Sequence, residues 1–251
     1  MKRRDLIRAS AGLAYMLVPT LSRAAQPCPP PQVSVSGGGT ATTDCVAATA
    51  SYTTNFDVDQ NPLSEGGRWI HTDSTLTHCK VVGGRAFGTQ SGTSGYDDSN
   101  AYQTGFGNNH EVEATVWLNP NYGGSGNREV EILLHWTDGG PLRSTPYGAT
   151  RANGYEINVQ HQGAYMQLGR FKGALLKQVD NYAVPKTGDR FRARIEGQRI
   201  RAWWNDVLKI DYTDTDSSLS ITSGNPGIGF YVSGGALNTD FGFDAVTIRA
   251  L

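Results

Sequence analysis

From residue 110 onward the chain alternates between apolar and polar positions. In His110–Leu118, Val112, Ala114, Val116 and Leu118 share one side, and Glu111, Glu113, Thr115 and Trp117 share the other. In Arg128–Trp136, Val130, Ile132, Leu134 and Trp136 fall together, opposite Glu129, Glu131, Leu133 and His135. The same beat runs through Tyr155–His161, Ala164–Arg170, Arg190–Gln198 and Arg199–Asn205. A period of two predicts β-strands with one buried and one open face, because successive side chains leave a strand on opposite sides. Thr75–Val82, Arg85–Thr89, Val207–Asp211, Gly227–Val232 and Phe241–Arg249 read as further strands. Turn residues separate them, among them Asn119-Pro120-Asn121, Asp138-Gly139-Gly140, Asn205-Asp206 and Asn225-Pro226. No long stretch keeps a helical period. The expectation is an all-β fold, a two-sheet antiparallel β-sandwich.

The first half of the chain reads differently. Residues 26–52 are rich in Pro, Gly, Ser, Thr and Ala, including Pro29-Pro30-Pro31 and Gly37-Gly38-Gly39. Such material packs poorly and predicts a linker or arm ahead of a sandwich spanning 53–251, whose body starts near Asn55-Phe56-Asp57. Residues 1–25 open with Lys2-Arg3-Arg4, continue through an apolar run from Ala9 to Leu21, and end in small residues with a cut site after Ala24 or Ala25. Arg3-Arg4-x-Leu-Ile-Arg resembles a twin-arginine export signal, with an ordinary secretory signal as the alternative. The run is too short to span a bilayer, so no membrane insertion is expected once the signal is removed. A periplasmic or secreted location follows.

Loss of Met1–Ala25 removes five cations and Asp5, a net +4, and takes the chain from −1 to about −5. That charge excludes a strongly basic nucleic-acid footprint. Export implies an oxidising compartment for Cys28, Cys45 and Cys79. Cys28 and Cys45 are spaced to close a short loop. Cys79 is then either a buried thiol or the partner of Cys45.

The polar side of the alternation carries the candidate chemistry. Its residues are Glu113, Trp117, Glu129, Glu131, His135, Glu156, Asn158, Gln160, Tyr165, Gln167, Arg192, Arg194, Arg201 and Trp203. Aromatic rings stack on pyranose faces, and amide, carboxylate and guanidinium groups hydrogen-bond hydroxyls. The expectation is one shared hollow that binds a polysaccharide or oligosaccharide. Residues two apart on a strand lie roughly 6.5–7 Å apart. Glu129 with Glu131, or Glu111 with Glu113, therefore allows an acid–base pair of the glycosidase kind. His135 is a candidate base. Arg192, Arg194 and Arg201 are candidates to neutralise a uronate, in which case Tyr165 would act as general acid in an elimination. Each of these groups has a plain reading too, as a solvated or ion-paired side chain. Glu131→Gln is the substitution expected to abolish turnover.

Four segments carry a resemblance: Asn153–Val159, Tyr165–Phe171, Arg201–Asp206 and Gly224–Phe230. Together they resemble the concanavalin-like or laminin-G-like jelly roll, over roughly Asn55 to Leu251. That superfamily contains lectins, carbohydrate-binding modules, glycoside hydrolases and polysaccharide lyases, so the fold hosts many functions. Laminarinase-like members carry Glu-x-Asp-x-(x)-Glu on one strand. Here Glu129-x-Glu131 lacks the third carboxylate. Alginate-lyase-like members carry Arg-x-Glu, Gln-x-His and Tyr strands, which Arg128, Glu131, Gln160-His161 and Tyr165 match in type and order but not in spacing. The resemblance by itself leaves cleavage and binding open; because the chain has room for only one domain, a glycan-cleaving enzyme, hydrolase or lyase, with no cofactor required, is the expectation. The alternative is a non-catalytic, lectin-like binding module. The resemblance also implies a structural calcium with oxygens from Asp57 or Asp59 and from Asp244, against a reading of these as turn-capping aspartates.

Overall fold

The computed structural model describes residues 32–36, 43–47, 50–91, 96–123, 125–180, 184–217 and 221–251. The strands are β1 (Gln32–Ser36), β2 (Thr43–Ala47), β3 (Ser51–Thr54), β4 (Thr77–His78), β5 (Lys80–Val81), β6 (Ala86–Phe87), β7 (Ser99–Tyr102) and β8 (His110–Leu118). They continue as β9 (Arg128–Thr137), β10 (Asn153–Gln160), β11 (Tyr165–Arg170), β12 (Leu175–Asp180), β13 (Arg190–Glu196), β14 (Arg199–Trp204), β15 (Val207–Thr213), β16 (Asn225–Val232) and β17 (Phe241–Ala250). Among the described residues no helix is long and apolar enough to cross a membrane.

β1 and β2 form an antiparallel hairpin within the Pro- and Gly-rich arm. Residues 1–31, with the segment read as an export signal and with Cys28, lie outside the described residues, as does the side chain of Cys45. Cys79 is a buried free thiol.

The unit from Thr49 to Leu251 is the expected sandwich. Its front sheet has the order β12-β11-β10-β9-β16-β7-β4, and its back sheet the order β15-β14-β13-β8-β17-β6-β5. β3 also pairs with β17, so the back sheet already takes up chain at Ser51. All pairings are antiparallel except β4 with β7. The inward residues meet between the sheets. Val130, Ile132, Leu134, Ile157, Val159 and Leu168 of the front pack toward Val112, Ala114, Val116, Phe191, Ala193, Ile195 and Trp204 of the back. Asn205 and Asp206 both take positive φ, which joins β14 to β15 in a tight hairpin turn.

Two sequence expectations change here. Thr75–Val82 is not one strand but two short ones, β4 in the front sheet and β5 in the back. β9 also breaks its beat. His135 has φ +49°, and the register slips by one residue on both neighbours, a β-bulge. Beyond the bulge the two faces exchange. His135 turns inward, and Trp136 joins Leu133, Phe171, Tyr102 and Leu76 in an apolar cluster on the outer side.

Candidate active site

The outer face of the front sheet carries the site. On β9, Glu129 and Glu131 point outward. Cross-strand pairing sets Glu131 opposite Asn158 of β10 and Gly229 of β16, and sets Glu156 of β10 opposite Leu133. Asn158 in turn faces Gln167 of β11. A Cβ on Gly229 would lie 2.2 Å from Glu131 Oε2, so the glycine leaves the slot that this carboxyl occupies. The strand itself offers no third carboxylate: Leu133, two residues on from Glu131, is apolar and buried. Glu156 supplies a carboxylate from the neighbouring strand instead.

These groups line a cleft of about 320 Å³ with Asp98, Glu129, Glu156, Asn158, Tyr165 and Gln167 along its floor and sides. Glu131 lies just beneath the floor, 1% exposed. Asp98, Glu131 and Glu156 each present an oxygen within 4.8 Å of the others. Three hard oxygens so close are also, among the described residues, the set near enough to share one divalent ion. Tyr165 donates to Glu129 Oε1 at 2.9 Å, and Asn158 Nδ2 donates to Glu156 Oε1 at 2.9 Å.

Burial dominates the electrostatics. Loss of water raises Glu129 to about 7, against the hydrogen bond from Tyr165. It raises Glu156 to about 8, aided by the charges of Asp98 and Glu129. Glu131 is pushed well above the usual carboxylate range by burial and then by Glu156. Asp98 rises only to about 6, because its own backbone amide and Lys172 favour the charged form.

A stability prediction follows from these shifts. Carboxyls raised in the folded state stabilise the fold while protonated and lose that contribution as pH climbs through their folded values. Above pH 6.5 the depressed histidines, His78, His110 and His161, are at most half protonated in the unfolded chain, so they offset only part of this loss, and less of it as pH rises. The melting temperature is therefore expected to fall between pH 6.5 and 8, and Glu156→Gln should flatten that slope. A flat wild-type profile by calorimetry would contradict the buried cluster.

Thirteen of the fourteen residues expected to face outward divide between two surfaces, and His135 turns into the core. Glu129, Glu131, Glu156, Asn158, Tyr165 and Gln167 come together as expected. Gln160 sits at the margin, donating to Asn127 Oδ1 at 3.0 Å and accepting from the Gly163 amide. Glu113, Trp117, Arg192, Arg194, Arg201 and Trp203 lie on the outer face of the back sheet. There Arg194 pairs with Glu111 and Arg192 with Glu113 across β13 and β8. The single hollow is thus corrected to two faces. Alternation orients each strand within its sheet but does not say which sheet receives it.

The back face carries a dense set of its own contacts. Glu111 takes Arg192, Arg194 and Arg249 at 3.3, 2.9 and 3.3 Å. Arg192 lies 4.2 Å and Arg201 5.6 Å from the Trp203 ring, and Arg85 lies 4.6 Å from the Trp117 ring. His135, expected as a base, is fully buried between the Ile221 carbonyl at 2.8 Å and the Asn108 carbonyl at 2.6 Å, away from the cleft. Arg128 is likewise no substrate ligand. It is buried and bonded to Asp240 at 2.9 Å.

Asp57 is exposed on the rim of a separate hollow beside Tyr52 and Glu65. Asp244 pairs with Arg85 at 2.9 Å, and Asp59 accepts the Gly83 amide at 2.7 Å. Sequence reasoning missed Asp98, Lys172 and the tyrosines Tyr96, Tyr147 and Tyr231. These come from loops and from a strand without alternation.

No family model and no curated protein matches the sequence. Solved structures do. A Bacillus subtilis protein of unknown function with a galectin-like fold superposes with a TM-score of 0.55 at 9% identity, covering 81% of this chain and 96% of that one. The fold is a galectin-like, concanavalin-like jelly roll. A structure described as an endo-acting O-glycanase of the human gut microbiota, used to initiate mucin breakdown, matches at TM-score 0.50 and 14% identity, over 80% and 98% of the two chains. A carbohydrate-binding module from Bacillus subtilis is similar at TM-score 0.46 and 15% identity, over 74% and 94%. Identities this low bear on the jelly roll itself and leave its chemistry to the residues of the cleft.

Proposed function

We propose that this protein is an exported glycoside hydrolase acting on an uncharged glycan, with Glu156 as general acid and Asp98 as its partner carboxylate. One observation carries the reading. Asp98 and Glu156 both line the cleft, approach within 4.8 Å, and are driven to different acidities by their surroundings. Two neighbouring carboxyls that hold their protons unequally divide into an acid and a base. Near pH 7 Glu156 keeps its proton for the leaving oxygen, and Asp98 is ionised and free to attack or to stabilise the sugar cation. Retaining glycosidases hold their carboxyls about 5–5.5 Å apart, against about 6.5–9.5 Å for inverting ones, so the spacing favours retention.

The cleft is poor in cations. Lys172 is already engaged by the charges of Asp98, Asp73, Asp97 and Glu156, while Arg170 is held by Asp214 at 2.5 Å. With Arg192, Arg194 and Arg201 on the far face, a uronate has little to neutralise it, and elimination loses its support. The export reading rests on residues 1–25. Mass spectrometry of protein recovered from the periplasm or medium would test it by an N-terminus at Ala25 or Gln26.

The activity is tested by a screen of neutral and uronic-acid polysaccharides that reads both reducing ends and the absorbance of unsaturated products. New reducing ends on a neutral glycan, without unsaturation, are the expected result. Unsaturated products would replace hydrolysis with elimination, and binding without either signal would leave a lectin-like module. Turnover should rise and fall over a bell centred near neutrality, between the acidities of Asp98 and Glu156.

A further inference from the structure

We propose that the cleft is a blind pocket that takes the end of a glycan chain, about two sugar residues, and not a through-groove for a continuous polymer. This rests on the glycan-cleaving reading above. Jelly-roll sheets offer an open face that a polymer can cross from edge to edge. Here the cleft runs from Leu175 of β12 across β11, β10 and β9 to β16, and ends at Tyr96 and Asp98, just ahead of β7. Tyr231 of β16 lines it, but among the described residues none from β7 or β4 does.

The reason is a tyrosine barrier. Tyr96, just ahead of β7, stacks on Tyr231 with ring centres 5.8 Å apart and planes 16° apart. Tyr96 also meets Tyr147, of the β9–β10 connection, at 4.9 Å. Three distant segments thus close over the sheet at one place. Asp98, two residues after Tyr96, puts the reacting carboxyls at that closed end.

One long side is shut as well. Leu133, Trp136, Phe171, Tyr102 and Leu76 fill the face beyond Glu131 with apolar side chains. The segment above them is pinned. Arg143 donates to the Ala152 and Phe171 carbonyls at 2.8 and 3.0 Å, and Asp138 accepts the Thr72 amide at 2.8 Å. A polymer running through would have to part Tyr96 from Tyr147. The 320 Å³ of the cleft lies at the lower end of the roughly 300–1,000 Å³ typical of small-molecule pockets.

Two measurements test this. On the glycan degraded in the screen, mono- and disaccharides should be released from the first time points while viscosity falls slowly. Tyr147→Ala, at a half-exposed position, should lengthen the products. Separately, Glu156→Gln protein titrated calorimetrically with neutral gluco-oligosaccharides of increasing length should bind one protein per chain whatever the length. A broad ladder of intermediate products with early viscosity loss, or a stoichiometry that grows with chain length, overturns the blind pocket while leaving hydrolysis intact. Neither cleavage nor binding of any screened glycan overturns the glycan reading and this inference with it.

Discussion

Glu156→Gln is expected to lower turnover of the natural glycan at least a hundredfold while leaving binding nearly unchanged. Glutamine keeps the size of the side chain and an oxygen that can still accept from Asn158 Nδ2, so the floor of the cleft should hold its shape. What it removes is the proton. A positioned general acid contributes about 10²–10⁴-fold, which sets the size of the effect. A substrate with a good leaving group, such as a nitrophenyl glycoside, does not need that proton and should be turned over with a much smaller loss. The alkaline limb of the pH profile should vanish in the variant, because Glu156 is the group that sets it. Glu131→Gln makes the contrast. Glu131 lies beneath the floor and already holds its proton, so its amide should cost far less. Turnover by Glu156→Gln within a few fold of wild type on the natural glycan, or a larger loss from Glu131→Gln, would remove Glu156 from the chemistry.

The sandwich was legible because burial writes itself into alternate positions. β8, β9, β13 and β14 all lie where a period of two predicts them, and their inward residues form the core. Elements without that signature escaped. β12 is exposed along most of its length at the sheet edge, and β7 is buried on both sides with the polar residues Ser99 and Asn100, so neither alternates.

The site was only half legible, for two physical reasons. Facing direction is local, but sheet membership is decided by crossovers such as the one between Leu118 and Arg128, and these separate Glu113 and Arg194 from Glu131 and Glu156. A bulge adds one residue, and that single residue swung His135 into the core. Asp98 gave no signal because Asp97-Asp98-Ser99-Asn100 reads as an ordinary polar turn. Its role arises from the neighbours that β9 and β10 bring to it.

Asp240→Ala is expected to destabilise the sandwich by about 3–5 kcal/mol, the usual cost of stripping one partner from a buried ion pair. Arg128 is fully buried and Asp240 nearly so. The guanidinium donates to Asp240 Oδ2 at 2.9 Å, to the Gly126 carbonyl at 2.8 Å and to the Gly123 carbonyl at 2.5 Å. Asp240 also accepts the Leu237 amide at 3.0 Å and Asn119 Nδ2 at 3.4 Å, so its loss orphans donors on three segments. For a domain of this size the melting temperature should fall by roughly 10 °C. Arg128→Met with Asp240→Leu, which removes both charges, should recover much of that loss, since the penalty lies in an unpaired charge and not in the missing attraction. The result also bears on the cleft. Arg128 is the first residue of β9, directly before the strand's two outward carboxylates. If the ion pair only anchors that strand, Asp240→Ala protein held well below its melting temperature should keep the pH profile and product pattern of wild type. A shifted profile would mean that Arg128 takes part in setting the acidity of Glu129, a role its bonds to Asp240 and two carbonyls do not call for.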